Sequence, residues 1–295
     1  MKHPDKTLTI GMACYDDYNG VVFSCQSLRM YHDLVKTSEV EILVLDNNPD
    51  SEHGKETKKF VNNGMKNKGR YIEKRDRCSS FNKYDIVEHA HGKYILIIDC
   101  HVMLASGALE SLLTYYRQNK NCKDLVQGPL IYDNMINVST HFDKKWRGHM
   151  YGVWATDKEQ CNKGLPFEIA MQGMGLLSFE KKNWPGIHKG FRGFGGEEGY
   201  IAQKFRNNGG KNICLPQLQW WHRFGRPDGV KYPLTIEDRM WNYFLGWLEA
   251  TGDEKCEVIR GAIDHFSEDV NKERVISTLE EVKTYLKKEH KHVQP

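Results

Sequence analysis

The run Tyr94-Ile95-Leu96-Ile97-Ile98-Asp99-Cys100-His101 constrains this chain more than any other. A short apolar stretch bounded by polar residues reads as a buried strand, and this one ends in two side chains able to bind a metal. Residues i and i+2 of a strand share a face, so Asp99 and His101 project together from the carboxyl end. Open α/β sheets bind ligands at that end. One oxygen and one nitrogen presented there suit a divalent ion. An Asp and a His in a loop serve equally well to cap a following helix.

The neighbouring pattern supplies the sheet. Thr7 to Cys14, Val40 to Asp46 and Arg70 to Glu73 read as further strands, and Val22 to Val35, Lys55 to Met65, Ser80 to His91 and Ala108 to Asn119 as helices. Such alternation predicts an α/β fold with a doubly wound, mostly parallel sheet. Later strands are expected at Leu125 to Tyr132, Met174 to Phe179 and Lys211 to Leu215. Beyond residue 234 the pattern changes. Trp241, Phe244, Leu245 and Leu248, then Val275, Leu279, Val282 and Leu286, recur at helical spacing. The reading is a body of residues 1–234 carrying a helical appendage of residues 235–295.

Charge is nearly balanced, 42 basic against 39 acidic residues, so only local runs inform. Lys55 to Arg77 and Lys204 to Lys231 are basic, which means a solvated face or a polyanionic partner. The eight cysteines are scattered without a C-x-x-C pair, and the start Met1-Lys2-His3-Pro4-Asp5-Lys6 is charged. Both point to a reducing cytoplasm, with no secretory signal or anchor expected. No apolar stretch is long enough to span a membrane.

Three later segments join the Asp-x-His: Met171 to Phe179, small residues running into a strand; Phe191-Arg192-Gly193-Phe194-Gly195-Gly196-Glu197-Glu198; and Trp220-Trp221-His222-Arg223-Phe224-Gly225-Arg226. Separately each is weak. Glu197 and Glu198 suit a helix amino terminus, and His222 suits a core position. Their order, across roughly residues 7–232, resembles the nucleotide-sugar glycosyltransferases of the A-type (GT-A) fold, and among them the catalytic domain of polypeptide N-acetylgalactosaminyltransferases. The matching residues are Asp99 and His101, Gly175 to Phe179, Phe194 to Glu197, and His222. There are departures. Phe194 stands where that family usually has Trp, Gly-Gly-Glu-Glu where it has Gly-Gly-Glu-Asn, and the arginine after the histidine must be Arg223 or Arg226.

The resemblance implies Mn2+ or another divalent cation held by Asp99, His101 and His222, and a UDP-sugar donor. A nucleoside diphosphate gains negative charge as its glycosidic bond breaks, and a divalent cation offsets it; one carboxylate and two imidazoles are compatible with Mn. The donor site would draw on Cys14, Asp16, Asp46, Arg75, Asn82, Asp99, Gly175, Phe194, Arg223 and Arg226. Arg223 or Arg226 would add charge-assisted bonds to the phosphates. Asp16 and Asp46, at the ends of the first two strands, would meet uracil or ribose, or else only form turns. Glu197, Glu198 and Arg226 are the catalytic candidates, Glu197 accepting from the sugar hydroxyls; retention of configuration is expected as in the resembled family, whereas an inverting enzyme would take Glu198 or Glu197 as its base. Residues 223–235, mixing hinges and cations, are expected to form a lid.

The acceptor is less constrained. Compact enzymes of this appearance resemble those encoded by bacterial viruses, some of which glycosylate hydroxymethylated pyrimidines in DNA. Basic residues from Lys55 to Arg70 would then line the approach to His101 and contact phosphates. A protein Ser/Thr or a bacterial glycan is the alternative, and a Zn-dependent hydrolase or an inactive nucleotide-sugar-binding protein the competing class. The oligomeric state is not legible.

Overall fold

The computed structural model describes residues 6–65, 69–75, 79–225, 229, 231–232 and 234–292. Fourteen strands are found among them. In chain order they are β1 Lys6–Cys14, β2 Val40–Asp46, β3 Gly69–Glu73, β4 Gly92–Asp99, β5 Val102–Leu104, β6 Leu125–Gln127 and β7 Leu130–Ile131, followed by β8 Val138–Ser139, β9 His141–Arg147, β10 Met150–Ala155, β11 Phe167–Glu168, β12 Leu176–Glu180, β13 Asn212–Cys214 and β14 Trp220–His222.

Eight of them form one large sheet in the order β11-β13-β6-β12-β4-β1-β2-β3. The block β3-β2-β1-β4 is parallel throughout, which is the doubly wound core expected. β12 then runs antiparallel to both β4 and β6. Parallel strands covered on both faces read as continuous apolar runs, and β2 is buried at every position. Alternation sorts the side chains. Ile95 and Ile97 join one core with Leu43 and Leu45, while Leu96 and Ile98 join the other with Ile42 and Val44.

The helices Ile236–Thr251, Glu257–Phe266 and Lys272–His292 follow. They share a core with the sheet: Trp241, Phe244 and Leu245 lie in one cluster with Phe179, Tyr200 and Ile97. Among the described residues no helix is long and apolar enough to cross a membrane.

A second, smaller sheet, β5-β14-β7-β8, positions the site. β14 pairs antiparallel with β5, with His222 opposite Val102, and the Arg223 N–H donates to the His101 carbonyl at 3.1 Å. This pairing brings His222 beside His101.

Candidate active site

The carboxyl ends of β1 and β4 open into a cleft lined by residues that include Cys14, Asp17, Lys83, Asp99, His101, Gly175, Phe194, Glu197, Glu198 and Tyr232. At its wall three groups converge. Asp99 Oδ2 lies 3.4 Å from His222 Nε2 and 4.0 Å from His101 Nε2, and the two imidazole nitrogens are 3.2 Å apart. Two cis ligands of an octahedral ion with bonds near 2.2 Å stand about 3.1 Å apart, so the spacing is close to that of a coordination sphere.

Protonation reinforces this. Asp17 Oδ2 is 2.9 Å from His101 Nδ1. Burial opposes the charge on Asp17, but the bond to His101 outweighs it and holds the carboxyl down at about 2. An ionised carboxylate only accepts, so Nδ1 is the nitrogen that donates to Asp17, and Nε2 is the one that faces Asp99 and His222. A carboxylate orienting a ligand histidine is the usual outer-shell arrangement of metal sites. The donor set therefore fits a divalent cation. Asp17 is fixed in turn as N-cap of the helix Tyr18–Tyr31, accepting from the Gly20 N–H at 2.9 Å.

Lys83 balances the charge. Its buried ammonium donates to the Met174 carbonyl at 3.1 Å and lies 3.8 Å from Asp99 and 3.9 Å from Glu197. Burial works against that ammonium, yet Asp99 and then Glu197 raise its pKa. Burial also opposes ionisation of Asp99, but Lys83 and the histidines hold it well below the ordinary carboxylate range. Glu197 is pushed up by burial against the pull of Lys83, and Glu198 rises to about 8 through burial and the charge of Glu197.

Glycine makes room at two points. A Cβ at Gly175 would stand 2.9 Å from the Trp220 ring and 3.3 Å from Asp99 Oδ2. Gly195 and Gly196 have φ of +91° and +94°, a region side chains avoid, and they turn the chain so that Glu197 and Glu198 enter the cleft.

Other expected donor contacts are placed differently. Asp46 is buried, its oxygens taken by the Tyr71 hydroxyl at 2.7 Å and the Asn48 N–H at 2.9 Å, so here it forms the turn. Asp16 (φ +50°) accepts from the Asn48 amide at 3.1 Å. Asn82 is buried and donates to Asn47 at 2.7 Å, while its neighbour Lys83 faces the cleft. Arg75 is exposed and bridged to Asp50 and Glu73. Arg223 lies 3.6 Å from Asp17. Arg226 and part of the 223–235 segment lie outside the described residues; Tyr232 reaches the cleft wall, 5.6 Å from the Phe194 ring. The basic approach is corrected in one respect. Arg70 sits at the start of β3, at the end of the sheet away from His101, bonded to Glu41 at 2.9 Å. Lys58 pairs with Glu73 at 2.7 Å.

Sequence reasoning passed over Asp17 and Lys83. Asp17 had a signal, an Asp three residues before Gly20 at a helix start. Lys83 had none.

A mostly parallel α/β sheet with a carboxylate and two imidazoles at the carboxyl end of its central strands matches the GT-A class of glycosyltransferase. The chain belongs to glycosyl transferase family 2, whose model matches residues 9–181. Solved structures share the fold. GalNAc-T7 with UDP, GalNAc and Mn2+ aligns with a TM-score of 0.66 at 15% identity, covering 89% of this chain and 54% of that one; this chain thus spans about half the GalNAc-T7 chain. The mannosyltransferase PcManGT from Pyrobaculum calidifontis, with GDP-Man and Mn2+, gives 0.53 at 12% identity over 95% of this chain and 77% of its own. S. aureus TarS 1-349 gives 0.52 at 11%, over 90% and 71%. No curated protein sequence matches the chain.

Proposed function

We propose that this chain is a divalent-metal-dependent glycosyltransferase that moves a sugar from a UDP-sugar to an acceptor hydroxyl with retention. The observation that carries this is the convergence of Asp99 Oδ2, His101 Nε2 and His222 Nε2 at the mouth of the cleft. Support comes from GalNAc-T7 and PcManGT, solved with a nucleotide or nucleotide sugar and Mn2+, and from TarS, solved with UDP.

Bound there, a divalent ion supplies Lewis-acid stabilisation of the diphosphate leaving group. The protein's own groups prepare the place. Asp17 orients His101. Lys83 offsets the charge of Asp99 and Glu197, a fixed charge placed where the negative groups meet. Glu197 accepts from sugar hydroxyls. Retention is carried over from the resembled family; an inverting transfer would instead use Glu198 or Glu197 as the base at the acceptor.

The acceptor in this reading is a 5-hydroxymethyl pyrimidine in DNA. With Arg70 and Lys58 engaged elsewhere, its support rests on exposed Lys55 and Lys59. They lie on the helix Glu52–Lys59, whose first turn abuts the Asp17 turn through the Tyr18 N–H and His53 at 3.3 Å. The working compartment is the reducing cytoplasm, in keeping with the free thiols of the described cysteines.

Release of UDP from UDP-sugars, measured with Mn2+ and with chelator, tests the donor reaction. We expect Mn-dependent turnover that hydroxymethylated DNA accelerates, the sugar appearing on the base by mass. Transfer to peptide or glycan alone overturns the acceptor assignment. Activity without any sugar donor overturns the whole reading in favour of a hydrolase.

A further inference from the structure

The helix Ile236–Thr251 holds the turn that carries the cleft carboxylates. Its Asn242 is fully buried, and each of its side-chain bonds goes to that turn. The amide donates to the carbonyls of Arg192 and Gly195 at 2.7 and 2.9 Å, and its oxygen accepts from the Arg192 N–H at 2.8 Å. Gly193, Gly195 and Gly196 all have positive φ, so this stretch has no helix or strand ladder of its own and depends on outside partners. The same helix face supplies more contacts. Arg239 lies over the Phe194 ring at 5.7 Å, and a Cβ at Gly195 would stand 2.8 Å from its Nε. Asp238 crowds Gly193. Positions 238, 239 and 242 lie on adjoining parts of one helix surface.

We propose that Asn242 is a positioning residue: by clamping residues 192–195 it sets the entry of Glu197 and Glu198 into the cleft. This rests on the proposed glycosyltransferase reading. Glu197 follows the clamped carbonyl by two residues and begins the helix Glu198–Asn207 as its cap. Asn242→Asp keeps the shape but removes both N–H donors and sets a carboxylate oxygen against two carbonyls. A purely structural asparagine would lower the melting temperature without altering turnover by the folded enzyme. A positioning one alters kcat.

The experiment compares wild type, Asn242→Asp, and Leu279→Ala, a core change in the helix Lys272–His292. We expect Asn242→Asp to lower kcat for UDP-sugar turnover at least tenfold, with UDP affinity by calorimetry within about twofold of wild type. Amide hydrogen exchange across residues 192–198 should rise. Leu279→Ala should melt earlier with kcat and that exchange unchanged. Should Asn242→Asp fail to fold, Asn242→Ser, which keeps one donor, takes the same measurements and should show an intermediate fall. Unchanged exchange at 192–198, or a kcat loss no larger than that of Leu279→Ala, overturns the proposal. A wild type that binds no UDP overturns the glycosyltransferase reading instead, leaving the clamp to be judged by exchange.

Discussion

The parallel block β3-β2-β1-β4 carries a buried charged cluster at each end, and the two are built differently. At the amino end the buried carboxylate is matched at both oxygens. Glu41 Oε1 accepts from the Thr9 hydroxyl at 2.7 Å and the His91 N–H at 2.6 Å, and its Oε2 lies 2.9 Å from Arg70 and 3.2 Å from His91. Thr9 accepts in turn from the Gly92 N–H at 2.8 Å. At the carboxyl end the charged groups face each other at 3.2–4.0 Å, and among the described residues Glu197 Oε2 has no hydrogen-bond partner. The first set closes on itself through direct hydrogen bonds. The second is looser, four of its five separations lying at 3.4–4.0 Å, and it leaves an oxygen open. A buried charge that is matched holds a fold together; one left facing its neighbours across a gap is suited to binding.

Substitutions can break this contrast. The largest effect is expected at Asp99. Asp99→Asn should lower Mn-dependent UDP-sugar turnover about 10³-fold, since metal-centred stabilisation is worth several kcal/mol, while the melting temperature stays near wild type. An unfolded variant would show that the carboxyl-end cluster is structural after all. Lys83→Met should come next, with turnover down about 10²-fold and stability lower by about 3 kcal/mol, because Asp99 and Glu197 lose their buried counter-ion. Urea melts beside kinetics separate the two losses. Asp17→Asn should weaken Mn2+ binding about 10- to 100-fold by releasing the tautomer of His101, read by metal titration.

The smallest effect on turnover, and a clear one on stability, belongs to Glu41. Glu41→Gln should leave kcat unchanged and cost about 1–3 kcal/mol at pH 7. Burial opposes the charge on Glu41, but Thr9, His91 and Arg70 outweigh it and lower its pKa. Its contribution is therefore whole above the ordinary glutamate pKa of about 4.3 and fades as pH falls below it. Melts at pH 7 and at pH 3 should show the gap between variant and wild type narrowing. A gap that widens in acid would refute the assignment.

Local patterns made the sheet legible. Val40 to Asp46 is a strand with the bounds its composition implies; β4 ends at Asp99, so the two-residue period reached the carboxylate, while His101 sits in the turn beyond it. His222 was reached only through the order of the motifs, because nothing local ties it to His101. Partner-dependent properties stayed hidden. Arg70 reads as a solvated cation until Glu41 is seen beside it, and Asp46 as a ligand group until Tyr71 takes its oxygen. Lys83 is one lysine among many until the fold buries it between two acids. Asn242 looks like a lone polar break in an aromatic helix, and its bonds lie 47 and 50 residues away.

The strand pairing that delivers His222 has a consequence for how the protein comes into being. His101 and His222 are separated by 121 residues, and their neighbours β5 and β14 must pair before the two nitrogens meet. Contacts so distant in sequence form late and slowly. During synthesis, a ribosome that has finished the first parallel strands has made Asp99 and His101 but not His222, the third group of the proposed metal site. Under that proposal, tight capture of a cation waits until His222 has joined the fold, and the ion then stabilises only the folded chain, by mass action.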